Sequence, residues 1–453
     1  MKRIVSIFVL FALMLVICIG TAGCKGNNGD AQTDSGEYSN AVPGGAADVS
    51  ADVLEALSNS GEVSIYQIDL NEKTDAFNAK FAEYFNKVYG GTMNYIKINW
   101  NGWEDKFIVD FSAGDAPDVL RLGQYLWPKA ASRGLVYSQA ELAEIGVVGL
   151  DHPVITNSLE IAENNYSYKG NVYALDVYSV NPSVMLVNDT LLAKCGVDKT
   201  PYQYYVDGQW NWNSFTEVLH QVASIDSDAD SMADYSGYDG WDPNFVLDAN
   251  TGYLIKFDEN YKLFANTDSL NVQHGLQMYH DICKNNYKID RGGFQEGKTA
   301  TLVETSYNIA KSIYNKGDGL NFDWSVVPYP LGADNVNGEQ VGGCDAYSII
   351  TSTENPQGAL NFIIAMAAYN EEYAEADPET ELEYWLDDEG DQMLADLRMM
   401  VREKTWKGVA DAWDTQWEFW GAVERMSSIQ ELLTTYKPWI DSQCNIENAY
   451  AIQ

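Results

Sequence analysis

The sequence predicts an α/β protein with more than one core, and three observations carry that prediction. Strand-like and helix-like segments alternate from residue 62 to residue 122, which implies a parallel sheet with helices on both faces. The chain has 453 residues, enough for two domains. Beyond about Ser183 long amphipathic segments dominate, at 212–225, 268–286, 356–370 and 411–440.

Taken in order, the chain opens on Met1-Lys2-Arg3, followed by Ile4 to Ile19, which carries no charge and one polar residue, Ser6. The run is short for a membrane span and ends in small residues, the layout of a secretory signal peptide. Thr21-Ala22-Gly23-Cys24 resembles a bacterial lipobox. That resemblance implies cleavage after residue 23, a lipid on Cys24, and a body held at the outer face of the cytoplasmic membrane. Residues 24–61 are rich in Gly, Asn, Ser, Asp and Ala and read as a flexible linker, with a short helical turn at 51–58.

"EVSIYQID" alternates as a strand. In "KTDAFNAKFAEYFNKVYG", Phe77, Phe81, Phe85 and Val88 form one helical stripe and Gly90 supplies a stop. "MNYIKINW" is a second strand, "WEDKFIVDFSAG" a second helix and "PDVLRL" a third strand.

The net charge is −38, which argues against nucleic acid and against anionic lipid surfaces as partners. The eleven acids of 371–391 read as a solvated helix face and loop. After Cys18 and Cys24, Cys195, Cys283, Cys344 and Cys444 remain; their scattered, apolar settings favour buried thiols over bridges. In "DSDADSMADYSG", Asp226, Asp228, Asp230 and Asp234 fall at positions 1, 3, 5 and 9 of an EF-hand-like loop. Ser231 replaces the usual glycine and Gly237 the usual glutamate, so a structural calcium ion and a solvated loop are both open. There is no GxSxG and no HExxH.

Several segments resemble, in order, the extracellular solute-binding proteins of carbohydrate ABC transporters, a family that includes the maltodextrin binders. They are "WEDKFIVDFSAGDAPDV", "YKGNVYALDV", "MLVNDTLLAKCGVDKTP", "WNWNSFTEVLHQVA", "FQEGKTATLVETSYNI", "FDWSVVPYPLG", "VGGCDAYSII", "NPQGALNFIIAMAA" and "WEFWGAVERM". The resemblance implies a two-lobed, periplasmic-binding-protein-like (type II) fold with hinge strands that closes on a sugar. The first lobe would hold 62–178 and 342–395, the second 182–338 and 396–453.

A sugar packs its C–H faces on aromatic rings and offers its hydroxyls to planar polar groups. Trp241 in a Gly/Asp/Pro loop, Tyr307 after a second-lobe strand and Trp420 on a late helix match regions where the maltodextrin binders carry aromatic platforms. For Trp420 a core role competes, because Trp413 and Trp417 share its helical stripe. Polar candidates are Asp69, Glu104, Gln124, Asp176 and Asp345, with Tyr125 beside Gln124 and Trp127 nearer a rim. Asp118 fits a turn or packing role equally well. The expected function is an oligosaccharide receptor, monomeric, without catalytic residues or a required cofactor, that delivers its ligand to a permease. A secreted glycoside hydrolase or lyase stays open, as does a receptor of this fold for a peptide or polyamine.

Overall fold

The computed structural model describes residues 55–451 apart from 69–71, 100–101, 124–125, 128, 230–232, 241–242, 289–292, 316–318, 341, 374–378, 380 and 402–412. The signal segment, Cys24 and most of the linker therefore lie outside the described residues. Among the described residues no helix is long and apolar enough to cross a membrane.

The alternating start folds as its pattern predicts. Strand β1 (Gly61–Ile68) leads to helix α1 (Glu72–Tyr89), β2 (Gly91–Ile98), α2 (Trp103–Ala113) and β3 (Val119–Leu122). Strands β2, β1 and β3 run parallel in that order. Phe81 and Phe85 of the α1 stripe are fully buried. Gly90 stops α1 in the left-handed region, φ 60°. A Cβ there would sit 2.4 Å from the Ser58 carbonyl oxygen, so glycine serves both the turn and the close approach. The body begins earlier than the sequence implied. Leu57 is fully buried, and Asn361 donates to the Ala56 carbonyl at 2.8 Å. Residues 55–60 thus belong to the folded unit and not to the linker.

The chain then crosses between lobes on one long strand, β4 (Asp176–Asn188). The second lobe adds α3 (Trp212–Ala223), β5 (Ser236–Gly240), α4 (Leu270–Lys284), β6 (Thr299–Thr305), α5 (Ser306–Tyr314) and β7 (Trp324–Pro328). Strand β8 (Gly342–Ile349) and helix α6 (Pro356–Tyr373) return to the first lobe. Helices α7 (Asp388–Met400), α8 (Trp413–Arg425) and α9 (Ile429–Tyr450) complete the chain. The amphipathic segment 411–440 is therefore broken: Ser428 caps α9 by accepting from the Glu431 amide at 3.1 Å.

The register makes β4 a member of both sheets. Its residues 176–182 pair antiparallel with β8, Pro182 opposite Gly342. Its residues 183–187 pair with β6, Ser183 opposite Thr305, and 184–188 pair on the other side with β7. In the first lobe, Ala346 joins the Phe107 core while Tyr347 meets Phe362 of α6 at 5.8 Å. Neighbours on a strand face opposite ways, so α2 and α6 cover opposite faces. On that second face Phe362 and Tyr369 lie 5.5 and 5.6 Å from Phe81. In the second lobe the same alternation sends Met185 and Val187 to the core of α3, α4 and α8, and Val184 and Leu186 to the core of α5 and α7.

Residues 382–395 were expected in the first lobe. Leu382, Met393 and Leu394 instead pack with Val184 and Leu186, beside Leu397 of the second-lobe segment. The strand pairing of β8 ends the first-lobe segment near α6, and burying these four apolar side chains against the second sheet takes the rest. Helix α9 also reaches across. Glu447 pairs with Arg133 at 2.5 Å and Lys129 at 3.5 Å in the first lobe. Cys195, Cys283, Cys344 and Cys444 are free thiols, Cys344 and Cys444 buried.

Candidate functional site

The strand registers fix where the ends of the two sheets meet. In the first lobe the carboxyl end of β3, Leu122, is level with Ala346 and Val177, and the crossing at Pro182 lies beyond it. In the second lobe the carboxyl end of β6, Thr305, sits opposite Ser183, on the crossing side, and β5 runs parallel to β6. Both parallel sets therefore aim their carboxyl ends at the same crossing, where open α/β sheets hold ligands.

On the first-lobe rim Arg121 is the organising group. Its Nε donates to the Tyr178 hydroxyl at 2.6 Å, and its guanidinium reaches the Asp345 carboxylate at 4.0 Å. Tyr178 stacks on Tyr347, centroids 4.3 Å apart. Burial pushes the Tyr178 hydroxyl well above the usual phenol range and that of Tyr347 to about 12, so both stay neutral. The strand pairing of β8 with β4 is irregular between Asp345 and Ala346, the kind of bulge that re-aims a side chain. Gly123 keeps room beside it: a Cβ there would stand 3.1 Å from the Asp345 carboxylate. The sequence pointed to Asp345 but missed Arg121 and Tyr178. An arginine inside the strand "PDVLRL" was the available signal, since a lone charge on a buried strand needs partners.

Glu104 lies in the first turn of α2, after β2 and at the same carboxyl edge. Gly102, φ 78°, precedes the helix with no side-chain cap, leaving amides and a positive dipole end there. Asp118 is a joint: its carboxylate accepts from the Ser64 amide at 2.7 Å and the Ser64 hydroxyl at 2.6 Å, and from the Thr353 hydroxyl. Asp176 is 6% exposed. It accepts from the Ser158 hydroxyl at 2.9 Å, and burial raises its carboxyl to about 6 despite that bond. It lies inside the lobe, not on the rim. Trp127, expected near the rim, is 2% exposed and packs edge-on to Tyr166 at 5.3 Å. Its ring fills the core under β3 because Leu126 and Ala130 bring the same turn inward.

In the second lobe Tyr307 is the second residue of α5, directly past the carboxyl end of β6, and is 39% exposed. The Thr305 hydroxyl accepts from the Asn308 amide at 3.3 Å and fixes this start. Trp420 is elsewhere. It is 2% exposed and meets Tyr279 of α4 edge-on at 5.2 Å. Lys288 covers that contact, donating to the Tyr279 hydroxyl at 2.6 Å and to Glu424 at 3.0 Å. The structure thus brings Asp345, Glu104 and Tyr307 to the carboxyl edges, and sends Trp127, Asp176 and Trp420 inward. Asp69, Gln124, Tyr125 and Trp241 lie outside the described residues.

In the acidic loop, Asp226, Asp228 and Asp234 each offer a carboxylate oxygen, and these oxygens lie within 4.8 Å of one another. Ser227 donates to Asp234 through its amide at 3.0 Å and its hydroxyl at 2.5 Å, which holds the Asp234 carboxyl below its usual range. Asp230 lies outside the described residues.

Comparison with known proteins agrees with this architecture. No curated protein sequence matches the chain. An ABC substrate-binding protein from Listeria monocytogenes in complex with cycloalternan is 16% identical, with a TM-score of 0.59 over 85% of this chain and 100% of that one. The sugar-binding protein MalE from Xanthomonas citri is 14% identical, with a TM-score of 0.61 over 86% of this chain and 98% of that one. A MalE domain from Bdellovibrio bacteriovorus bound to maltotriose is 14% identical, with a TM-score of 0.55 over 86% and 98%. At these identities the likeness establishes the two-lobed fold. The family model for bacterial extracellular solute-binding proteins matches residues 69–369. With that match spanning well over half its length, the chain belongs to the bacterial extracellular solute-binding protein family.

Proposed function

We propose that this protein binds an oligosaccharide in the cleft between its lobes and delivers it to the permease of an ABC transporter, without acting on it as an enzyme. The observation that carries the reading is the meeting of both sheets' carboxyl ends at one crossing strand, with a guanidinium–carboxylate–tyrosine cluster on one side and an exposed tyrosine face on the other. The saccharides in the Listeria and Bdellovibrio structures support the ligand class. Asp345, Arg121 and Glu104 would take hydroxyls, and Tyr307 a C–H face. Rotation about residues 182–183 of β4 would close the lobes. The lipid tether at Cys24 belongs to the same proposal; Cys24→Ala should release the protein from membranes or block its processing.

Calorimetric titration with a panel that includes maltotriose tests the reading. Tyr307→Ala should weaken the best ligand by about 2 kcal/mol, roughly thirtyfold, with stability kept. Trp420→Ala should do the reverse, losing about 3–5 kcal/mol of stability while the folded fraction binds as before. No affinity for any saccharide, or sugar breakdown on incubation, would overturn it. A structural calcium ion at Asp226, Asp228 and Asp234 is a further part of the proposal, supported by the convergence of their oxygens. Chelator should then lower the melting temperature with sugar affinity little changed, and an indifferent melting curve removes the ion.

A further inference from the structure

A separate cavity of about 590 Å³ opens in the second lobe, between residues 201–206, β7 and the segment 385–396. It is remote from the crossing. Its β7 residues Val326, Ser325 and Trp324 pair with Leu186, Val187 and Asn188, four to six residues along β4 from Pro182, or about 13–20 Å of extended strand. Tyr202, Tyr205, Trp324 and Trp385 give it aromatic walls, and Asp387, Glu389 and Asp396 give it carboxylates. Among the described residues that line it, none is basic.

The local field is negative and arranged. The Tyr202 hydroxyl donates to Glu389 at 3.0 Å and fixes that carboxylate; the bond raises the phenol's pKa. Burial, with Asp396 adding to it, does the same to Tyr205. Asp391, on the next turn of α7, has its carboxyl raised by burial and then by Glu383, Asp388 and Asp387. Arg398 of the same helix is engaged elsewhere, with Glu383 and the Val180 carbonyl. The start of α7 would favour an anion, but Asp387 caps it through the Gly390 amide, and Asp388 and Glu389 already occupy its first turn.

Carboxylates beside aromatic faces, with no basic group among the described lining residues, match an organic ammonium better than the alternatives. A cation gains from the ring quadrupoles as well as from the acids. A neutral sugar could use the Tyr205 hydroxyl and the indole N–H groups of Trp324 and Trp385, but it would leave three carboxylates without a countercharge, and among the described residues Asp396 accepts from the neutral Gln392 amide at 2.9 Å. A metal ion would make no use of the aromatic walls. We propose that this cavity binds a linear organic polycation of the polyamine class, with ammonium groups on Glu389, Asp387 and Asp396 and the chain laid over Trp324 and Trp385.

Spermidine is the probe, titrated calorimetrically into the whole protein at low ionic strength. Because the chain is strongly acidic, the control must match charge. Glu389→Gln/Asp396→Asn should weaken spermidine about tenfold. Glu160→Gln/Glu163→Gln, the same charge change on an exposed first-lobe helix, should leave it unchanged. Trp324→Ala should weaken it to a similar degree, and the two carboxamide changes keep the test independent of how well that variant folds. Equal losses in both double variants, no binding at millimolar spermidine, or maltotriose perturbing the Trp324 indole resonance in the same cavity would each overturn the proposal.

Discussion

Residues 176–182 and 183–188 share one strand and live in different surroundings. The first half pairs with β8, and most of its side chains are half-buried. The second half lies between β6 and β7, and Val184, Met185, Leu186 and Val187 are all fully buried. The strand is thus anchored on both edges in one lobe and held by a single described partner strand in the other. Pro182, which has no amide hydrogen to pair, stands at the change. If the lobes close as proposed, the second lobe would be the fixed mount and the first lobe would turn on the more lightly held half.

Removing the anchor should have the largest effect. Leu186→Ala should cost about 4 kcal/mol in denaturant unfolding, while Val180→Ala in the first half should cost about 1 kcal/mol or less; equal losses would erase the distinction. Asp176 comes next. Its carboxyl is held at about 6 against 3.8. Below pH about 4 both folded and unfolded states carry the proton and burial costs nothing. As pH rises through that window the unfolded state loses its proton first, so the penalty grows and is complete above pH about 6. Two units at about 1.4 kcal/mol each make it roughly 3 kcal/mol. Asp176→Asn keeps an acceptor for Ser158, so it should be the more stable protein at pH 7.5 by about that amount and no more stable at pH 4. Urea midpoints at the two pH values check this, and a pH-independent difference would show that the charge is not what burial penalises. A smaller loss than at the anchor should come at the crossing. A Cβ on Gly342 would lie 2.6 Å from the Asn181 carbonyl oxygen, so Gly342→Ala should cost about 2 kcal/mol; an unchanged midpoint would mean the crossing yields freely.

The sequence was most legible where periodicity acts alone. The Phe81–Phe85–Val88 stripe and the alternation of β1 and β2 needed only local pattern. It was least legible where distant segments choose a partner. Residues 382–397 carry an ordinary amphipathic pattern, and nothing in it says which sheet they cover. Trp420 and Trp127 look alike in sequence to a ligand platform, because an aromatic ring serves a core and a sugar equally well; burial separates them. Arg121 was missed because its role depends on Tyr178, 57 residues away.

The lobes are also interleaved in order of synthesis. Strand β3 must wait more than two hundred residues for its partner β8. The second lobe receives Leu382, Leu394, Phe419 and Val423 only near the end. Neither lobe can finish its core until the last quarter of the chain has emerged, although domains usually complete as units from the amino end. Such distant pairings also slow folding. For a chain of an extracellular family, such interleaving would delay completion of either core until the chain is almost fully made.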